Sequence, residues 1–340
     1  VTPDLASLDP ATLHSPALLL SIPAVAAALS WVLTRAALGY LRRRAILDHP
    51  NERSSHTVPT PRGGGWGIVL TLLPAAALAA VALDDLRGLG PVLLGATLLA
   101  GVSWADDRRG LGPGGRLLAQ AAAVAAGLAA LPPDGLVLQG LVGWWPDRVL
   151  AALAWVWFVN LYNFMDGIDG LAGTETATIG LGVALVAGLA GLGPLPVWAG
   201  LAAAGAALGF LAWNWQPARI FMGDVGSVPL GYALGWLLLG LAAAGHWAAA
   251  LLLPAYFLAD ATITLCRRLL RGEKVWRPHR EHFYQRAVRA GRSHAEVVRS
   301  VLAANLALVA LALLSVGAGA WPVLGGAAVV AALLARLSRR

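Results

Sequence analysis

The residues that could do chemistry fall in five short stretches. The densest is Asn160-Leu-Tyr-Asn-Phe-Met-Asp-Gly-Ile-Asp-Gly-Leu-Ala-Gly173, which brings Asn160, Asn163, Asp166 and Asp169 together at a spacing of three. On a helix, that spacing puts Asn160, Asn163 and Asp166 on roughly one face. Gly167, Gly170 and Gly173 would let a ligand approach the backbone closely. Helix–helix glue, or a turn between two spans, is the bland alternative. A second stretch runs from Asn214 to Ser227 and holds Asp224 between glycines just before an apolar segment. Such a turn presents one hard oxygen ligand, and Mg²⁺ sites use one or two carboxylates plus substrate phosphates. The adjacent Asp106 and Asp107, followed by two arginines, could bind a divalent ion, place a nucleophile, or be solvated charge. In Ser54 to Gly65, His56 and Arg62 accompany three glycines whose N–H groups could face an anion; a membrane re-entry turn would explain the glycines equally. In Arg277-Pro-His-Arg-Glu-His282, the donors of His279, Arg280 and His282 suit phosphates, while no cysteine set or His-Glu-x-x-His motif supports zinc.

The elements that must position these groups are transmembrane helices. Of 340 residues, 58% are hydrophobic and only 13% charged, against about a quarter charged in a soluble domain. Leu- and Ala-rich segments near helix length predict an all-α polytopic membrane protein and exclude a barrel. Eleven spans are predicted, near 16–41, 66–83, 90–104, 117–131, 148–163, 174–191, 196–213, 227–244, 247–266, 299–317 and 320–335. They form one domain over 1–340, with Trp144 and Trp145 as interface anchors. Cys266, the single cysteine, excludes an intrachain disulfide and is expected to pack in its apolar run. The first fifteen residues carry no basic residue, so a cleaved signal peptide is not expected.

Charge orients the spans. With the loop at 42–65 cytoplasmic, the loops at 106–116, 164–173, 214–226 and 267–298 and the C-terminal tail share its side. Only Arg87 and Arg148 of the 25 basic residues then fall on the far side, which satisfies the positive-inside rule. The N-terminus lies outside. The net charge of +7 is therefore a topology signal, not a nucleic-acid footprint. All five polar stretches meet at the cytoplasmic interface. Carboxylates for Mg²⁺ and cationic groups for phosphate, at the edge of a bilayer, suit transfer of a phosphorylated group from a soluble donor to a lipid-borne acceptor.

At these residues the chain resembles the polyprenyl-phosphate N-acetylhexosamine-1-phosphate transferases, the superfamily of MraY and WecA, over about 20–335. The marks are His56 with Pro59 and Gly63-Gly64; Asp106-Asp107; Asn160, Asn163, Asp166 and Asp169; Asn214 with Phe221-Met-Gly-Asp224; and His279-Arg-Glu-His282. The resemblance implies a UDP-N-acetyl sugar as donor, undecaprenyl phosphate as acceptor, and Mg²⁺ as cofactor, with Mn²⁺ able to replace it. UMP and a lipid-linked sugar diphosphate would be the products, in a bacterial inner membrane, and a homodimer is admitted. It implies Asp224 as the Mg²⁺ ligand and Asp106-Asp107 for handling the acceptor. Asn163, Asp166 and Asp169 would lie on the nucleotide side, with His56 and Asn160, and Asn214 near metal and phosphates. His279, Arg280 and His282 would meet the donor's sugar and phosphates. The first and last motifs look more like the WecA and WbpL branch, which initiates O-antigen and other surface glycans, than like the muramoyl-pentapeptide enzymes.

Two rivals fit less well. A CDP-alcohol phosphotransferase shares Asp166-Gly-Ile-Asp169-Gly but needs further spaced aspartates that are absent. A transporter would suit Asp260, predicted inside a helix, yet transporters place their key groups near mid-membrane. No motif reads the sugar's hydroxyls.

Overall fold

The computed structural model describes residue 13 and residues 15–50, 58–274 and 279–339. His56, the N-terminal segment and Arg277-Pro278 of the basic loop lie outside the described residues. Among the described residues, eight helices are long and apolar enough to cross a membrane: α1 Pro16–Arg43, α2 Gly65–Ala82, α3 Leu86–Arg109, α5 Trp144–Met165, α6 Leu171–Ala190, α7 Pro194–Asn214, α8 Asp224–Ala243 and α12 His294–Ala318. Shorter helices complete the bundle: α4 Pro113–Leu128, α9 Trp247–Leu252, α10 Ala255–Leu270, α11 Phe283–Arg289 and α13 Pro322–Ser338.

All eleven predicted segments are helical, but three fall short of a full span. At 16 residues, α4 reaches about 24 Å, less than the roughly 30 Å of a hydrocarbon core. The segment at 247–266 breaks into α9 and α10 at Pro254, which has no N–H to continue the ladder and whose ring crowds the preceding turn. The third, α13, has 17 residues. One small element was not anticipated: β1, Leu47–Asp48, pairs antiparallel with β2, Thr60–Pro61.

The helices sort by burial. Residues of α6 and α8 are buried around most of their circumference, whereas α1 keeps an outward apolar face. Leu20, Leu94, Leu118, Leu153 and Leu189 are each more than half exposed. An apolar exterior on that scale is what lipid covers. Cys266 sits exposed on α10 and does not pack inside as expected.

At its centre, α8 packs against α2, α3, α5, α6 and α9. At one end its last turn is tied to the 132–141 loop, where the Gln139 amide donates to Ala242 O at 2.7 Å. Asp147, fully buried, accepts the N–H groups of Val137 and Leu138 there. At the other end α8 begins at Asp224, and the polar stretches gather around it.

Candidate active site

The site is built on the first turn of α8. Gly223, at φ 73°, turns the chain into the helix, a backbone conformation that glycine adopts without a Cβ penalty. The N-terminus this creates is capped from another helix. Asp107, near the end of α3, accepts the N–H of Asp224 at 3.3 Å and that of Val225 at 3.1 Å. A carboxylate there satisfies two orphan donors and meets the positive end of the helix dipole.

Asp107 and Asp224 converge on one cationic position. A single guanidinium nitrogen of Arg62 lies 3.0 Å from Asp107 Oδ1 and 2.6 Å from Asp224 Oδ1. Burial works against the charge of Arg62, but Asp107, Asp224 and Asp48 outweigh it and hold the group protonated more firmly than usual. Arg116, from the first turn of α4, closes the other side, 3.0 Å from Asp106 and 3.8 Å from Asp224. The adjacent aspartates thus have different partners. Successive residues on a helix point about 100° apart, so Asp107 faces Asp224 while Asp106 accepts from Arg116 and from Leu111 N.

The three glycines serve packing, not anion binding. Gly63 N and Gly64 N donate to Phe221 O, and Gly65 N donates to Met222 O, at 2.8–3.1 Å. A Cβ on Gly65 would stand 2.2 Å from the Cα of Gly226. The backbone contact that excludes it brings Arg62 against the start of α8.

The four polar residues of the Asn160–Asp169 stretch go four ways. A spacing of three on a 3.6-residue helix precesses by about 60° per step, so the polar groups do not share a face. Asn160 turns to α4 and exchanges hydrogen bonds with Gln120, at 2.7 and 3.4 Å, tying the two helices together. Asn163 accepts the Ser227 hydroxyl at 2.6 Å, on the first turn of α8. Asp166 ends α5 as its C-cap, half-buried. Burial raises its carboxyl to about 7; Arg62 opposes the rise, and Asp224, Asp107 and Asp169 add to it.

Asp169 and Asn214 are committed to the backbone. Asp169 accepts Ala218 N at 3.0 Å and faces His294 Nδ1 at 3.2 Å. Asn214 accepts Gly170 N and donates to Ile220 O, both at 2.9 Å. These bonds clamp the 166–170 turn to the 215–223 loop. His294, which carries no sequence motif, joins the site only because α12 begins beside Asp169.

The histidine loop is anchored from below. Asp260, inside α10 and fully buried, accepts Phe283 N at 2.9 Å, Tyr284 N at 3.2 Å and the Tyr256 hydroxyl at 3.1 Å. His282 Nδ1 lies 3.2 Å from the same carboxylate, and His282 is itself buried. Tyr284 donates to Phe164 O at 3.0 Å, and a Cβ on Gly167 would meet its hydroxyl at 2.1 Å. Through Tyr284 the loop leans on the turn that carries Asp166.

His279, half-buried and with its ring centroid 4.8 Å from that of His282, is neutral at pH 7. Burial first, then His282 and Arg268, lower it from 6.5 to about 4. Its Nδ1 accepts Glu281 N at 3.3 Å, which leaves the proton on Nε2. Because the unfolded chain takes up a proton near 6.5 and the folded one only near 4, this residue costs stability as pH falls through that window. H279Q is therefore expected to lose less melting temperature than the parent between pH 7.5 and 5, as thermal melts in detergent would show. Equal losses would place the titration elsewhere.

Among the described residues no group of three or more His, Cys, Asp and Glu side chains forms a ready-made metal cage. The donors present nonetheless suit a hard divalent ion. Asp107 and Asp224 are all-oxygen ligands already turned toward a shared cation, and Mg²⁺ takes one or two carboxylates and draws its other ligands from water and phosphate.

The arrangement defines a multi-spanning membrane protein whose carboxylate and basic groups gather at one end of an apolar bundle. The glycosyl transferase family 4 model matches residues 89–242. The decaprenyl-phosphate N-acetylglucosaminephosphotransferase of Mycobacterium tuberculosis (strain CDC 1551 / Oshkosh) is 31% identical over 317 residues, covering 78% of this chain and 76% of that protein. The probable undecaprenyl-phosphate N-acetylglucosaminyl 1-phosphate transferase of Bacillus subtilis (strain 168) is 31% identical over 258 residues, 73% of this chain and 71% of that protein. The phospho-N-acetylmuramoyl-pentapeptide-transferase of Moorella thermoacetica (strain ATCC 39073 / JCM 9320) is 40% identical, but over 129 residues, 36% of this chain and 40% of that protein. The chain belongs to glycosyl transferase family 4 and is a membrane-associated transferase.

Proposed function

We propose that this protein transfers an N-acetylhexosamine-1-phosphate from a UDP-sugar to undecaprenyl phosphate. The observation that carries the reading is the convergence of Asp107 and Asp224 on one cationic position at the end of an apolar bundle. In the reaction, an oxygen of the lipid phosphate attacks the donor's β-phosphorus. A new P–O–P linkage forms, the α–β P–O bond breaks, and UMP leaves. The lipid phosphate's second ionisation lies near pKa 6, so no strong base is required.

Asp224 would hold Mg²⁺, with Asp107 beside it. Once bound, the ion would polarise the donor's phosphates and offset charge on the leaving oxygen. Arg62 and Arg116 meet phosphate oxygens, and His279 offers an Nε2–H to the donor. Asp169, Asn214 and His282 act by holding the loops. The eleven-span reading extends to a site facing the cytoplasm of a bacterial inner membrane, with the C-terminus inside. There a long lipid can remain in the bilayer while its phosphate meets a soluble nucleotide. Similarity along most of the chain to the mycobacterial and Bacillus proteins supports the N-acetylhexosamine branch and initiation of a surface glycan.

The test incubates purified protein, Mg²⁺ and undecaprenyl phosphate with a panel of UDP-sugars, including UDP-N-acetylmuramoyl-pentapeptide, and measures UMP release. UMP release with an N-acetylhexosamine donor is the expected result. Release with the pentapeptide donor alone would move the reading to the muramoyl branch, and release with none would defeat the transfer reaction.

A further inference from the structure

A second basic feature lies outside the transfer site. A cleft of about 800 Å³ opens between α12 and α13, and Arg292, Arg299, Arg336 and Arg339 line it against one acidic side chain, Glu296. Polarity runs along both helices in the same direction. On α12 the charged residues come first and Ala303 and Ala304 follow; on α13, Val329, Ala332 and Leu333 precede the two arginines. The two helices are antiparallel neighbours joined by a short turn, so the cationic part of the cleft lies at the end where His294 meets Asp169. Its apolar part runs toward the middle of the bundle. This is the profile of an amphiphile with an anionic head and hydrocarbon tails.

The charges are only partly offset locally, since one carboxylate, Glu296, stands against four arginines and interacts with Arg292 and Arg299. Glu296 is occupied as a cap, accepting Ser293 N at 2.8 Å and the Ser293 hydroxyl at 2.9 Å. Arg292 donates to Arg336 O at 2.8 Å and Arg339 O at 3.4 Å, binding the end of α13 to the entrance of α12. Arg299, Arg336 and Arg339 are exposed. We infer that the cleft seats the headgroup of an anionic glycerophospholipid of the surrounding bilayer, with its acyl chains along Ala303, Val329 and Ala332. Guanidinium forks match a phosphodiester's paired oxygens, and basic clefts between transmembrane helices at the cytoplasmic side are sites for acidic headgroups. Zwitterionic lipid gains less from a cleft of net positive charge, and free phosphate gains nothing from its apolar half.

The test measures binding of dioleoyl-phosphatidylglycerol and dioleoyl-phosphatidylcholine to the full chain in detergent by native mass spectrometry. The parent should prefer the phosphatidylglycerol. R299A/R336A should weaken that binding by about tenfold or more while leaving the phosphatidylcholine unchanged. A303F/A332F, which fills the apolar half and leaves every charge in place, should weaken it as well. Both pairs are largely at the surface, and an unchanged melt confirms the fold. Equal binding of the two lipids would overturn the proposal. So would loss in the arginine variant alone, which would mean surface charge, or displacement by millimolar inorganic phosphate, which would mean a simple anion site.

Discussion

D224N is expected to lower transfer by on the order of 10³-fold while leaving the protein folded. The asparagine keeps the size of the side chain but gives up its charge and one of its two acceptor oxygens. Removing a single well-placed electrostatic partner of a developing charge costs about 10²–10³ in turnover, and Asp224 is proposed to hold the ion on which several such contacts rest. Folding should survive because Arg62 keeps its 3.0 Å contact with Asp107, and Arg116 keeps Asp106. The cap on α8 comes from Asp107 and is also untouched. UMP release measured beside a thermal melt separates the two effects. Activity within tenfold of the parent, at saturating Mg²⁺, would remove Asp224 as the principal ligand.

D260N is expected to act from beneath the site. The Asp260 carboxylate receives two backbone N–H groups, the Tyr256 hydroxyl and the facing His282 nitrogen. An amide offers one acceptor oxygen and turns an NH₂ toward groups that are themselves donors. Each buried donor left unpaired costs roughly 1–3 kcal/mol, so a lowered melting temperature is expected. Transfer should fall by roughly tenfold to a hundredfold as the start of α11 loosens and His279 and His282 lose their register. Donor-saturation kinetics give the distinguishing readout, because a positioning role should raise the donor's KM while that of the lipid stays put. An unchanged melt with unchanged KM would make Asp260 a bystander.

The sequence made the broad frame readable and the pairings not. Apolar segments of helix length and a one-sided distribution of arginine are local properties, and the helices and the clustering of Asp107, Asp166 and Asp224 at one end follow from them. What a residue faces depends on which helix lies opposite. Asn160 looks like a partner of Asn163 in sequence, but its bond goes to Gln120, forty residues away. The glycines at 63–65 fit an anion cradle or a tight turn equally well, and only the position of Phe221 and Met222 decides between them. His294 has no motif because its role comes from where α12 starts. Asp260 stood out as a charge inside an apolar helix, which is expensive enough to demand a partner, yet its partners lie in a loop whose path the sequence does not dictate.

The guanidinium between Asp107 and Asp224 also bears on how the protein is made. Two carboxylates brought together at the edge of a bilayer would repel each other during assembly if nothing stood between them. Arg62 supplies a counter-ion from within the same chain. The bundle can therefore insert and reach its final packing with the two carboxylates already neutralised. If Asp224 holds Mg²⁺ as proposed, biogenesis and loading would be separate events, and a cell short of divalent ions would accumulate an intact, idle protein rather than a misfolded one.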